Sequence, residues 1–201
     1  MTADPLLVVD GLSKRFGRLT VVAEVSFMVA PGEALGVIGP NGAGKSTLLN
    51  LVGGVLAADA GTVRLAGADI TRTSADRRCR AGIGRSYQIP RPFSGMTVFE
   101  NVLVAASFGA GRRGRAAHEL AVAALERIGL AAFANRPAGS LRLLDRKRLE
   151  LARALAGDPR VVLLDEIAGG LSEHELPQLI DTVRDVRAAG VAVVWIEHVV
   201  H

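Results

Sequence analysis

The sequence predicts an α/β fold organised on a mostly parallel sheet, and three observations carry that prediction. Ala34–Ile38, Val161–Leu164 and Val191–Ile196 are short continuous apolar runs, the pattern of strands buried on both faces. The first leads into a glycine-rich loop, "GPNGAGKST", which opens a helical pattern. The second ends in adjacent carboxylates, Asp165 and Glu166.

The remaining elements follow in chain order. "LLVVDGL" and "VVAEVSFMV" are β-branched-rich runs bounded by Gly and Pro, and read as strands of an antiparallel N-terminal sheet. "PGEALGVIG" places a turn before the strand Ala34–Ile38, and "KSTLLNLVGGV" is a helix ending at Gly53–Gly54. "GTVRLAG" is another short strand with turns at both ends. From about 72 to 157 the pattern changes. Arg72–Arg91 is basic and turn-rich; "MTVFENVLVAASF", "AAHELAVAALERIGL" and "DRKRLELARALA" then carry helical spacing, as in Leu120, Ala124, Leu125 and Ile128. A helical lobe, roughly residues 90–157, is therefore expected as an insertion, with "GAGRRGR" as a linker between two of its helices. In "GGLSEHE", Ser172 precedes Glu175 by three residues, which predicts a capping box for the next helix.

Composition narrows the class. The chain has 201 residues, 49% of them hydrophobic, enough for one domain with a sizeable core; aromatics are only 4%, so that core must be aliphatic. A formal charge of +4 is compatible with nucleotide, an acidic lipid surface or nucleic acid. Cys79 is the only cysteine, which excludes an internal disulfide and a cysteine-rich zinc site and suits a reducing cytosol with an inert thiol. The N-terminus has no signal-peptide pattern, and no uncharged apolar run approaches the roughly 20 residues of a membrane helix, so a soluble chain is expected. "VAVVWIEHVVH" stops just after a core strand, which suggests that a C-terminal part is missing.

The loop Gly39–Thr47 fits G-x-x-x-x-G-K-[ST] between a strand and a helix, the context that motif requires. Gly39, Gly42 and Gly44 let the backbone curl, so that successive N–H groups of the loop, which also holds Pro40, Asn41 and Ala43, can face a phosphate. The helix from Lys45 presents unpaired amides and its positive dipole end to the same anion. Lys45 is placed for the β- and γ-phosphates, Ser46 for Mg²⁺, and Thr47 completes the nucleotide-binding set. Asp165 suits Mg²⁺ held through water, and Glu166 suits a general base or a group positioning the attacking water. His198, just past the last core strand, could contact a γ-phosphate or hold that water. The fold expected is thus a P-loop NTPase with a RecA-like sheet, an N-terminal antiparallel β-subdomain and an inserted helical subdomain.

Order and spacing, from "LLVVDGLSKRFG" to "WIEH", resemble the ATP-binding subunits of ABC transporters. The resemblance implies one ABC-type ATP-binding domain over residues 1–201, using ATP and Mg²⁺. It places Phe16 on adenine, Gln88 in the Mg²⁺ shell and in coupling to membrane subunits, Asp165 and Glu166 as the acidic pair, and His198 as the switch histidine. It also implies a second ATP-binding subunit, permease subunits, indirectly a periplasmic substrate-binding protein, no nucleic acid, and a peripheral place on the cytoplasmic face of the inner membrane. "GIGRSYQIPRPFSGMTVFENVLVA" looks most like the branch serving importers of branched-chain amino acids and related amides. Phe93 is a candidate anchor for the permease or a core residue of the lobe, and Arg72, Arg77, Arg78, Arg80, Arg85 and Arg91 a patch for the membrane subunit or lipid, or a solvated surface.

The chain departs from that family in its signature, usually Leu-Ser-Gly-Gly-Gln, which acts on the partner subunit's ATP. Here Leu141, Arg142, Leu143, Leu144 and Asp145 stand in its place. The backbone amides at Leu143 and Leu144 can still point at phosphate, and Arg142 offers a cation in place of a hydroxyl. The leucine side chains are expected to crowd the site, and Asp145 to cap the helix while bringing negative charge towards the anion. Ile167 stands where proline is usual, and Ser172 where aspartate is common. Two further readings stay open: a low-turnover half of a heterodimeric ATPase, and a soluble ABC ATPase outside transport.

Overall fold

A computed structural model describes residues 4–198; the chain end at His201, expected to be truncated, lies outside them. Two sheets form. The first is antiparallel: β1 (Leu7–Phe16) lies between β2 (Leu19–Val29) and β4 (Ala60–Leu65), and β4 carries the short β5 (Ala68–Asp69). The second is wholly parallel, ordered β3 (Ala34–Ile38), β8 (Ala192–Glu197), β7 (Val161–Asp165), β6 (Ile83–Arg85). This is the P-loop NTPase architecture that the apolar runs predict.

Strand β7 is buried along its whole length because both of its faces are covered. Alternate residues serve different cores, as a pleat of period two requires. Val162 and Leu164 pack with the helices α3 (Val98–Phe108), α4 (Gly114–Ile128) and α5 (Leu143–Ala156), and with α6 (Glu175–Ala188). Val161 and Leu163 pack with the antiparallel sheet and α1 (Lys45–Val52). The two carboxylates at its end are thereby fixed between two packed layers.

The expectation for Arg72–Arg91 needs correction. That stretch holds the helix α2 (Ala75–Arg80) and β6, elements too short to show a period in a polar, arginine-rich sequence. Arg78 is no surface residue: it is 2% exposed, and its guanidinium donates to the carbonyls of Leu51, Val52, Thr71 and Thr73 at 2.7–2.9 Å. A cation thus caps the carbonyls of Leu51, which also accepts from the Gly54 amide, and Val52 at the C-terminal end of α1, and complements its dipole. Arg72, Arg77, Arg80 and Arg91 are exposed, and Arg85 is partly buried.

Thr97 and Glu100 form a full capping box at the start of α3. The one expected at Ser172 is only half made. Glu175 accepts from both the amide and the hydroxyl of Ser172, but the hydroxyl accepts nothing from the helix, which starts at Glu175. Among the described residues no helix is long and apolar enough to cross a membrane.

Candidate functional site

The site lies at the carboxyl ends of β3, β7 and β8. Between β3 and α1 the chain reverses through Gly42 and Gly44, with φ of 81° and 84°. A Cβ on Gly44 would lie 2.4 Å from the carbonyl oxygen of Val21, so the loop presses directly on β2. A cavity of about 200 Å³ remains, lined by Val21, residues 41–47 and Glu166. Lys45 bridges back across it, donating to the carbonyls of Gly39 and Pro40 at 2.7 and 3.0 Å, with Nζ 3.9 Å from Glu166 Oε1.

Asp165 and Glu166 turn in different directions. Ser46 donates to Asp165 Oδ1 at 3.1 Å, while Arg85 Nη2 stands 3.5 Å from Oδ2. Glu166 follows with φ of 46°, a left-handed conformation that is costly for a side chain of its size. Its amide donates to the Ile196 carbonyl, and its Oε2 accepts from Gln88 Nε2 at 2.6 Å and lies 3.7 Å from His198 Nδ1. The loop, the acidic pair, Gln88 and His198, far apart in sequence, are therefore brought together. Phe16 ends β1 with its ring half-exposed and Lys14 Nζ 5.6 Å above it; its partner in β2, Leu19, lies two residues before Val21 of the cavity wall.

The signature residues sit at the N-terminus of α5. Arg142 is the N-cap, extended and making no side-chain cap bond. Asp145 lies inside the first turn and pairs with Arg148 at 3.6 Å, so the expected cap by Asp145 is not formed: three positions into the helix it is past the cap. The expected crowding also halves. Leu144 is buried in the helical core with Leu141, and Leu143 alone is exposed, at 43%, against Gly170. Ile167 is buried in the same core. Glu175 is held below the usual carboxylate range by the amide and then the hydroxyl of Ser172, with a smaller pull from Arg142.

Several residues at the site are invisible to motif reading. Arg85, counted with the surface arginines, reaches Asp165 and Asn50. Lys147 is buried; burial draws its ammonium down, against the pull of Glu197 and Glu166. Glu197 accepts from the amide of Ala168, just after Glu166, and from the Trp195 indole. Phe93, left open between core and anchor, is 46% exposed beneath the Arg153 guanidinium.

Comparison with known proteins agrees with this geometry. The family model described as "ABC transporter" matches residues 22–169. The high-affinity branched-chain amino acid transport ATP-binding protein BraF of Pseudomonas aeruginosa is 38% identical, over 96% of this chain and 82% of its own length. The corresponding protein LivG of Escherichia coli K12 is 37% identical, over 92% and 78%. A crystal structure of an ABC transporter ATP-binding cassette in its ADP conformation superposes with a TM-score of 0.88 at 31% identity, over 98% of this chain and 82% of that one.

Proposed function

This chain belongs to the ABC transporter family, and from that premise we propose that it is the ATP-hydrolysing subunit of an importer for branched-chain or related amino acids and small amides. The observation that carries this reading is the meeting of Lys45, Gln88 and His198 on one carboxylate, Glu166, beside the phosphate loop.

Each role follows from what the side chain now touches. Lys45 donates to two loop carbonyls, and the oxygens of a bound γ-phosphate would replace them as stronger, charged acceptors. Glu166 takes the proton of the attacking water; Gln88 and His198 fix the carboxylate's direction, and His198 reaches the γ-phosphate. Phe16 offers a half-exposed face to adenine. The oxygen donors of Ser46 and Asp165 fit Mg²⁺, with the amide oxygen of Gln88 as a further donor. Among the described residues there is no cluster of three or more acidic, His or Cys side chains able to hold a metal alone, which leaves the remaining positions to water and phosphate oxygens, as Mg²⁺ prefers. Bound there, Mg²⁺ would neutralise phosphate charge.

The partners are a second ATP-binding subunit, whose nucleotide meets the amides at the start of α5, and permease subunits, beyond them a periplasmic substrate-binding protein, with this chain peripheral on the cytoplasmic side. The loop after Gln88 exposes Ile89 and Phe93, apolar anchors for a permease helix. Reconstitution with permease and binding protein in liposomes tests the whole reading. Substrate-stimulated hydrolysis and uptake are expected; uptake that persists with Glu166→Gln would refute it.

Arg142 and the exposed Leu143 favour one second reading, a subunit that binds ATP well but turns it over slowly unless paired with a partner bearing an ordinary signature. Brisk hydrolysis by the purified homodimer would exclude it.

A further inference from the structure

Outside the nucleotide site, a half-open cavity of about 280 Å³ lies between α2, β6 and the C-terminal halves of α3 and α5, with Cys79, Arg85, Tyr87, Phe108, Glu150 and Arg153 in its lining. Its mouth is apolar: Phe108 is exposed, and Tyr87 stands on the same loop as the exposed Ile89 and Phe93. On the reading above, the occupant of this face is a permease helix.

Arg85 belongs to both sites. On the cavity side its guanidinium carbon lies 4.9 Å from the ring centroid of Tyr87. On the nucleotide side Nη1 donates to Asn50 Oδ1 at 2.7 Å, and Nη2 faces Asp165 Oδ2 at 3.5 Å, with the side chain only 10% exposed. Its buried Nε has no partner. The group is planar and rigid, so a displacement at the Tyr87 face is carried to Nη2. At 3.5 Å the contact with Asp165 is at the limit of hydrogen bonding, where a few tenths of an ångström decide whether a charge-assisted bond forms. The other oxygen of that carboxylate is the one Ser46 holds.

We propose that Arg85 is a positioning residue that carries the occupancy of this cavity to Asp165, along a line separate from the contact between Gln88 and Glu166. Two carboxylates of one strand end would then report on one partner by two routes: Gln88 addresses the group that acts on water, and Arg85 the group suited to the metal. The identity of the occupant rests on the proposed function; the link between cavity and carboxylate does not.

Cys79, the only thiol in the chain, lines the cavity and allows the link to be tested without a permease. Burial pushes this thiol up, so alkylation with N-ethylmaleimide is run at alkaline pH and followed to completion by mass. The readout is the MgCl₂ midpoint for binding of a fluorescent ATP analogue, a binding measurement independent of turnover. Alkylation is expected to move the midpoint about three- to fivefold in the native protein, a change of about 0.7–1 kcal/mol at about 1.4 kcal/mol per tenfold. It should move it by less than half as much in Arg85→Met. Tyr87→Ala, which leaves Arg85 on Asp165, should keep the unlabelled midpoint and lose the shift; if Arg85→Met fails to fold, this variant decides. Full alkylation without a shift in the native protein, or an undiminished shift in the deciding variant, overturns the proposal. Failure of reconstitution with a permease would sink the transport reading and leave this result standing.

Discussion

Gln88 Nε2 donates to Glu166 Oε2 across 2.6 Å, from a loop that enters the helical lobe to the end of a core strand. The carboxylate so held has Lys45 on one side and His198 on the other, and lines the phosphate cavity. On the proposed function that carboxylate serves the chemistry rather than the binding of nucleotide. Glu166→Gln is expected to lower kcat about 10²–10⁴-fold, the range for a general base, while ATP affinity stays within about threefold. Single-turnover hydrolysis alongside equilibrium binding separates the two.

Gly44 tests the loop itself. Its φ is 84°, and a Cβ there would meet the Val21 carbonyl at 2.4 Å. Gly44→Ala must therefore move the loop off β2 as well as strain its own backbone, at a cost of about 1–3 kcal/mol for the strain alone. Nucleotide binding should fall at least tenfold, read by titration with a fluorescent ATP analogue. Wild-type affinity in this variant would mean that the loop is not held as described.

Arg78 supports the same loop from the far end of α1. Arg78→Met leaves four carbonyl groups without their cationic donor, two of them at the helix C-terminus, and should cost about 3 kcal/mol or more in a urea melt. Arg78→Lys should recover only part, since an ammonium cannot address four acceptors in a fixed fork.

Lys147 gives a pH signature. Burial lowers its ammonium below the ordinary 10.5, against the attraction of Glu197 and then Glu166. Between the lowered value and 10.5 the folded chain binds fewer protons than the unfolded chain at this site, so its contribution to stability rises with pH. Lys147→Met abolishes that term. The melting temperature of the variant relative to the native protein should therefore fall as pH climbs from 7 to 10; a difference that is flat or rises with pH would contradict the burial described.

Legibility in the sequence followed the range of the interactions. Val161–Leu164 and Ala34–Ile38 declared themselves because full burial writes an unbroken apolar run, and Gly39–Thr47 because its conformation demands particular residues at fixed spacing. Arg78 and Arg85 looked like two more charges in a basic stretch. Nothing local separates a guanidinium that faces solvent from one that caps a helix 26 residues earlier or meets an aspartate 80 residues later. Asp145 erred in the opposite way: its residue type suits a cap, but the helix begins at Leu143 and places it in the first turn. Distances that depend on tertiary packing leave no trace in a single chain.

The start of α5 carries the sharpest open consequence. Arg142 at the N-cap uses no side-chain bond to close the helix, so the first amides stay directed outwards with a cation beside them. Leu143 stands exposed at the same point, where close approach of a phosphate needs space. The two residues therefore pull in opposite directions, and separate variants resolve them. Arg142→Ala should lower homodimer turnover about 10²-fold or more, the effect of removing one donor to a developing oxyanion, with ATP affinity of the phosphate loop unchanged. Leu143→Gly should raise turnover by relieving the approach. If Arg142→Ala is instead without effect and Leu143→Gly alone is silent, the helix start does not act on a partner's nucleotide.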